Sequence, residues 1–301
     1  MSTGDKTPGF TPLLTNDENG SPFRVPPTPF LKKIGYGTGV GVYRMDRSPR
    51  TGNTRSPWAL KKVNPKIRAN VRHRLKKEAD LLQTLNHPNI IGFRAFTTAE
   101  GREVLAMEEG GHSLGDLIEK RREEDIPPFS PHEIMKVIIG VSKALHYIHN
   151  EKKIIHGDIK SFNVLIKENF DVVKLCDFGV SHPLDEAGEA EDYIGTECWC
   201  APEVIIGDSV TLKADIFSFG LTIWEMMTLQ IPHSGFEETD PQINESQIVD
   251  PSDNYGTRPP LPDYLGPDYT VVKEIFMWCT EENPNRRPTA QDILKRVGVK
   301  C

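Results

Sequence analysis

Two short stretches hold most of the residues that could do chemistry. His156-Gly157-Asp158-Ile159-Lys160-Ser161-Phe162-Asn163 brings a carboxylate, a lysine and an amide together, and Lys174-Leu175-Cys176-Asp177-Phe178-Gly179 adds a second carboxylate. Phosphoryl transfer needs this inventory: a carboxylate to orient a hydroxyl and accept its proton, hard oxygen ligands for Mg²⁺, and cations on the transferring oxygens. One carboxylate cannot easily serve both metal and hydroxyl, so the presence of two is informative. Earlier in the chain, Gly35, Gly37, Gly39 and Gly41 alternate through GYGTGVGV. They leave backbone free of side chains, able to approach phosphate oxygens and donate N–H groups to them. Any glycine hairpin looks similar. The pattern gains weight from Lys61 on the next strand-like segment and from Glu78, an acid that could hold that cation in place.

These residues need elements to position them. Residues 30–34 and 40–45 read as strands joined by the glycine turn, with 57–63 as a third. Leu75, Ala79, Leu82 and Leu85 recur near helical spacing over 72–85, and His87-Pro88 stops the helix. Strands follow over 90–96 and 104–107, then helices over 114–124, 131–150, 215–229, 271–281 and 290–297. The fold class is α+β, a small β-rich lobe followed by a larger, mainly helical one. Residues 1–29 carry Pro8, Pro12, Pro22, Pro26, Pro27 and Pro29 with almost no aliphatic periodicity, which reads as a disordered tail. Residues 235–257 contain six acids and no lysine or arginine, which reads as an acidic surface loop. The basic run through Lys66, Arg68, Arg72, Arg74, Lys76 and Lys77 fits either a solvated helix face or a docking patch for an acidic partner.

Composition narrows the function. Lys+Arg 36 against Asp+Glu 43 in 301 residues gives a net charge of −7, so the chain lacks the cationic footprint of a nucleic-acid binder. The longest apolar run, 217–231, is interrupted by Glu225, so no membrane span is expected. The N-terminal residues have neither the basic start nor the apolar run of a signal peptide. Five scattered cysteines, an odd number, point to a reducing compartment, cytoplasmic and/or nuclear. Cys198 and Cys200 lack the second Cys/His pair that would complete a tetrahedral metal site.

Taken in order, these segments resemble the signature set of the eukaryotic protein kinase family across about residues 30–298. The resemblance implies a bilobal kinase fold, with lobes over 30–107 and 112–298 and a connector over 108–111. It implies that Lys61 contacts the α- and β-phosphates of ATP and pairs with Glu78, and that Asp158 is the catalytic base. Asn163 and Asp177 would hold Mg²⁺, and Lys160 would steady the γ-phosphate. Ile34, Gly35, Gly37, Gly39, Val42 and Ala59 would cover the nucleotide, Met107 would lie behind adenine, and Glu108 and Gly110 would offer backbone hydrogen bonds. Glu203 of Ala201-Pro202-Glu203 would pair with Arg287, and Asp215 of DIFSFG would anchor the large lobe.

Lys160 and Thr196 resemble the serine/threonine pattern, and Val180 would favour threonine over serine. The strings GYGTGVGVY, SPWALKKVNP, EKKIIHGDIKSFNV and KADIFSFGLTIWEMMTLQIPH resemble a serine/threonine kinase similar to the mitogen-activated protein kinase kinases. That implies transfer of the ATP γ-phosphate to Ser/Thr of protein substrates, with Tyr as a further acceptor, in mitogen-activated and mitotic signalling.

Two residues depart from the family pattern. Val40 stands where the third glycine of the loop is usual, and Gly157 replaces the arginine that often pairs with a phosphorylated activation loop. They support the rival reading, a scaffold that binds partners without phosphotransfer. A small-molecule kinase is disfavoured by Thr196 and Ala201-Pro202-Glu203, which in the family build the peptide platform. The acids Asp185, Glu186, Glu189, Glu191 and Asp192 make phosphorylation of that segment unfavourable, so regulation is expected elsewhere. Thr7-Pro8, Thr11-Pro12, Ser21-Pro22 and Thr28-Pro29 are proline-directed sites. Thr7 is the favoured one, with an upstream mitotic proline-directed kinase as its writer. The ending Gly298-Val299-Lys300-Cys301 does not fit what PDZ domains bind.

Overall fold

The computed structural model describes residues 25, 31–37, 39–50, 53–64, 69–99, 101–234 and 251–300. Thr7, the tail apart from Val25, residues 65–68 of the basic run and residues 235–250 of the acidic stretch lie outside them. The chain divides into two compact units, Met1–Ala79 with Phe93–Glu109 and Asp80–Gly92 with Gly110–Cys301.

The first unit is built on an antiparallel sheet of β1 (Lys32–Gly37), β2 (Val40–Arg50), β3 (Asn53–Val63), β4 (Phe93–Ala99) and β5 (Arg102–Glu108), in the order β1-β2-β3-β5-β4. Side chains alternate between faces along a strand, so cross-strand register sorts them into two sets. Leu60 opposes Ala106, and with Met45, Ala95 and Val104 it forms a buried cluster on one face. Val42 opposes Lys61, Lys61 opposes Leu105, and Ala59 opposes Met107, which places these five on the other face. Helix α1 (Ala69–Thr84) buries Leu75, Ala79 and Leu82 as its spacing predicts. Strand β4 begins at Phe93, three residues later than its expected start. Ile90 instead bridges Leu175, and the Ile91 N–H donates to the Leu175 carbonyl inside the second unit.

The second unit carries α2 (Leu114–Glu123), α3 (Pro131–His146), α4 (Pro202–Ile205), α5 (Lys213–Thr228), α6 (Thr270–Cys279) and α7 (Ala290–Arg296). Small sheets join β6 (His112–Ser113), β8 (Val164–Lys167) and β9 (Val172–Leu175), and pair β7 (Ile154–Ile155) with β10 (His182–Pro183). Helix α3 starts at a Ser130–Glu133 capping box with Pro131 in the first turn. Its regular part ends at His146, short of the expected residue 150, because a π-helical turn (Tyr147–Lys152) replaces the last turn and closes on left-handed Lys153. Helix α5 is buried from Ala214 to Met227 on every side. Its Phe217 and Leu221 pack with Ile155, Trp199, Ala201 and Val210. Full burial of each such large apolar side chain contributes roughly 1.5–3 kcal/mol. Among the described residues no helix is long and apolar enough to cross a membrane.

Candidate active site

In the first unit the glycine turn closes the β1–β2 hairpin, where Gly37 pairs with Val40. Gly39 has φ +86° and its carbonyl accepts from the Asn64 N–H at 3.0 Å. Val40, the departure from the glycine pattern, is buried and pairs with Val63 in the sheet, where a β-branched side chain is at home. Lys61 Nζ lies 2.8 and 3.0 Å from the two carboxylate oxygens of Glu78 on α1. Both are buried, so the acid holds the ammonium in one place on the face it shares with Val42, Ala59 and Met107. Gly35 opposes Val42 on the same face. Ile34 is exposed in β1, and half-buried Glu108 sits 3.8 Å from Arg94 Nη2. Gly110 belongs to the second unit, where a Cβ would clash with the Leu165 side chain.

In the second unit Asp158 receives donors from three side chains. The Thr196 hydroxyl donates to its Oδ1 at 2.6 Å, while Asn163 Nδ2 and Lys160 Nζ reach its Oδ2 at 3.0 and 2.8 Å. Lys160 Nζ also donates to Thr196 Oγ1 at 2.7 Å, closing a triangle of base, cation and hydroxyl. The backbone holds this set. A 3-10 turn (Ser161–Asn163) follows Lys160, and Asn163 Nδ2 also donates to the Asp158 carbonyl at 2.7 Å. The Cys176 N–H donates to the Asn163 carbonyl at 2.9 Å, which ties the loop of Asp158 to the loop of Asp177. Asp177 itself has φ +62°, a conformation that costs energy in a non-glycine residue and clusters at functional positions.

Behind the carboxylate, His156 is fully buried. Its Nδ1 accepts the Asp158 N–H and its Nε2–H donates to the Cys176 carbonyl, which fixes the neutral tautomer, and burial lowers its pKa in keeping. Asp215 accepts from the backbone N–H groups of His156 and Gly157 and contacts His149 Nε2 at 2.8 Å. Burial alone would raise its pKa, but the His149 hydrogen bond and charge hold it below the usual carboxylate value. Glu203 and Arg287 form a two-pronged ion pair at 2.6 and 2.8 Å, both buried. Stranding one member of such a pair typically costs roughly 3–5 kcal/mol. Burial pushes the Cys200 thiol up to about 12, so it offers no thiolate for metal binding or attack.

Three contributors escape sequence reasoning. Ser161 and Trp199 both donate to Glu225, and Ser218 donates to the Trp199 carbonyl. The available signal was Glu225 itself, since a charge in the apolar run of α5 must find partners.

The donor set suits a divalent cation. With Asn163 Nδ2 spent on Asp158, the amide atom left for another partner is the oxygen, and Asp177 supplies a carboxylate, so both are hard donors.

Comparison with known proteins agrees with this chemistry. The protein kinase domain family matches residues 29–297. The human "Lymphokine-activated killer T-cell-originated protein kinase" is 48% identical over 293 residues, covering 91% of this chain and 90% of the relative. The Dictyostelium discoideum "Probable serine/threonine-protein kinase drkA" is 32% identical, covering 88% of this chain and 39% of its own length. The Xenopus laevis "Mitogen-activated protein kinase kinase kinase 13-A" is 32% identical, covering 80% and 23%.

Proposed function

This chain belongs to the protein kinase family, and from that premise we propose the role of each residue in the reaction it catalyses. It is an ATP-dependent serine/threonine protein kinase acting on protein substrates. Phosphotransfer, rather than a scaffold without catalysis, is the function its relatives carry.

Asp158 is the base: its carboxylate orients the acceptor hydroxyl and takes its proton as the oxygen bonds to the γ-phosphorus and the bond to the β-phosphate oxygen breaks. Lys160, held beside it, steadies charge on the transferring oxygens. Lys61, fixed by Glu78, holds the α- and β-phosphates, and the glycine turn at Gly35, Gly37 and Gly39 presents backbone N–H groups to them. Ile34, Val42, Ala59 and Met107 provide apolar cover for adenine, with the backbone of Glu108 and Gly110 for its polar edge. Asn163 and Asp177 would hold Mg²⁺, which when bound neutralises phosphate charge. Serine and threonine are the acceptors, with tyrosine as a further one. The setting is mitogen-activated and mitotic signalling in cytoplasm or nucleus, with a proline-directed kinase acting on Thr7.

The convergence of three side-chain donors on Asp158 is the observation that carries this reading. Its test is Mg²⁺-ATP transfer to a mixed peptide library by the protein and its Asp158→Asn variant, with the phosphorylated amino acids identified. The variant should lose at least about 100-fold in kcat. Equal transfer by both proteins would remove Asp158 from the role of base.

A further inference from the structure

Helix α5 is surrounded by protein, yet it carries Asp215, Ser218, Thr222 and Glu225, all buried. Their spacing, i, i+3, i+7 and i+10, puts them along one stripe of the helix. Burying a carboxyl without partners is unfavourable by several kcal/mol, so each acid on the stripe should have a task. Asp215 has one: it holds the backbone of His156 and Gly157. Glu225, ten residues on, holds two other segments. The Ser161 hydroxyl donates to its Oε1 at 2.7 Å and the Trp199 indole N–H donates to its Oε2 at 2.7 Å.

Those two donors lead straight back to the base. Ser161 opens the 3-10 turn whose last residue, Asn163, donates to Asp158. Trp199 closes a second 3-10 turn, its N–H donating at 2.8 Å to the carbonyl of Thr196, the residue whose hydroxyl donates to Asp158. Ser218 adds a bond at 2.7 Å to the Trp199 carbonyl. These hydrogen bonds, together with the backbone of the turn from Ser161 to Asn163, form a closed circuit from Asp158 through Thr196, Trp199, Glu225, Ser161 and Asn163 back to Asp158.

We propose that Glu225 is a positioning residue for phosphoryl transfer, fastening the loop of Asp158 and the segment of Thr196 to one helix so that base and hydroxyl stay in register. The proposal rests on Asp158 being the base. Burial pushes the Glu225 carboxyl up to about 8 despite the Ser161 and Trp199 bonds, so the bridge carries a proton for much of the time at neutral pH. The added proton has an acceptor in Ser161 Oγ, whereas the indole can only donate. Glutamine reproduces that arrangement: its oxygen can accept from Trp199 and its NH₂ can donate to Ser161.

The test compares kcat and KM for ATP and a peptide substrate in the full chain and in Glu225→Ala, Glu225→Gln and Ser161→Ala, below the melting temperature that circular dichroism gives each. Glu225→Ala should lower kcat at least about tenfold with KM for ATP within about twofold, and Glu225→Gln should restore kcat to within about threefold of the parent. Ser161→Ala should lower kcat in the parent and have no further effect in the Glu225→Ala background. A folded Glu225→Ala protein with parental kcat would overturn the proposal, as would a Ser161→Ala effect of equal size in both backgrounds. Should Glu225→Ala not fold, Trp199→Phe and Ser161→Ala each remove one donor, and parental kcat in both would be equally decisive. Parental activity in Asp158→Asn would instead sink the assignment of the base.

Discussion

Gly157 shows how much a single backbone position determines beside the base. Its φ of +80° lies in the left-handed region, and its N–H donates to Asp215 at 3.0 Å. A Cβ there would meet nothing closer than the Val180 carbonyl oxygen at 3.5 Å, an ordinary contact, so space is not the constraint. Conformation is. Gly157→Ala should destabilise the protein by about 1–2 kcal/mol, read as a shift in the urea midpoint at unchanged slope. An unshifted midpoint would mean that the position does not hold positive φ in solution. Residues of this kind differ in how legible they are. Asp158, Lys160, Asn163 and Asp177 stand out because their types match one chemistry within two short segments. Ser161 has no such mark, since a serine in a loop has many uses until its partner, 64 positions away, is known.

At the scale of elements, α5 links stability to pH. An unfolded Glu225 titrates near 4.5, while burial raises the folded value to about 8. Across that window the folded chain keeps a proton the unfolded chain has lost, so the Glu225 contribution to stability is full below about 4.5 and is lost as pH rises towards 8. Lys160 is the cation facing the carboxyl, and its charge limits the shift. Buried His156 and the half-buried His87 and His233 act in the opposite sense, since desolvation lowers each from 6.5 and so destabilises the fold as pH falls. Above pH 7 those imidazoles lose most of their charge in both states, and Lys213, lowered from 10.5 by burial, opposes Glu225 in the same sense as they do.

The unfolding free energy should therefore fall between pH 7 and 8 by up to about 1.4 kcal/mol per unit, and Glu225→Gln should flatten that slope. Parallel slopes in the two proteins would show that Glu225 titrates normally. Element boundaries were legible where periodicity or capping is strong, as in α3 with its Ser130-Pro131 start. They were obscure for the β8–β9 hairpin, whose turn places Glu168, Asn169 and Phe170 at positive φ with no glycine to announce it.

For the molecule as a whole, the question is where control enters. The segment before Thr196 exposes Asp185, Glu186, Glu191 and Asp192 on a chain whose net charge is already −7. A phosphate added there meets like charge, and Gly157 supplies no guanidinium to receive it. The proline-directed sites lie instead in the first 29 residues. Of these, Lys6-Thr7-Pro8 is the site we expect to be written in mitosis. Protein purified from mitotic cells should carry phosphate at Thr7 and exceed the activity of interphase protein, and Thr7→Ala should lose both the phosphate and the increment. A Thr7→Ala protein with unchanged phosphate content and full mitotic activity would exclude the tail site, and would return attention to the acidic segment despite its charge.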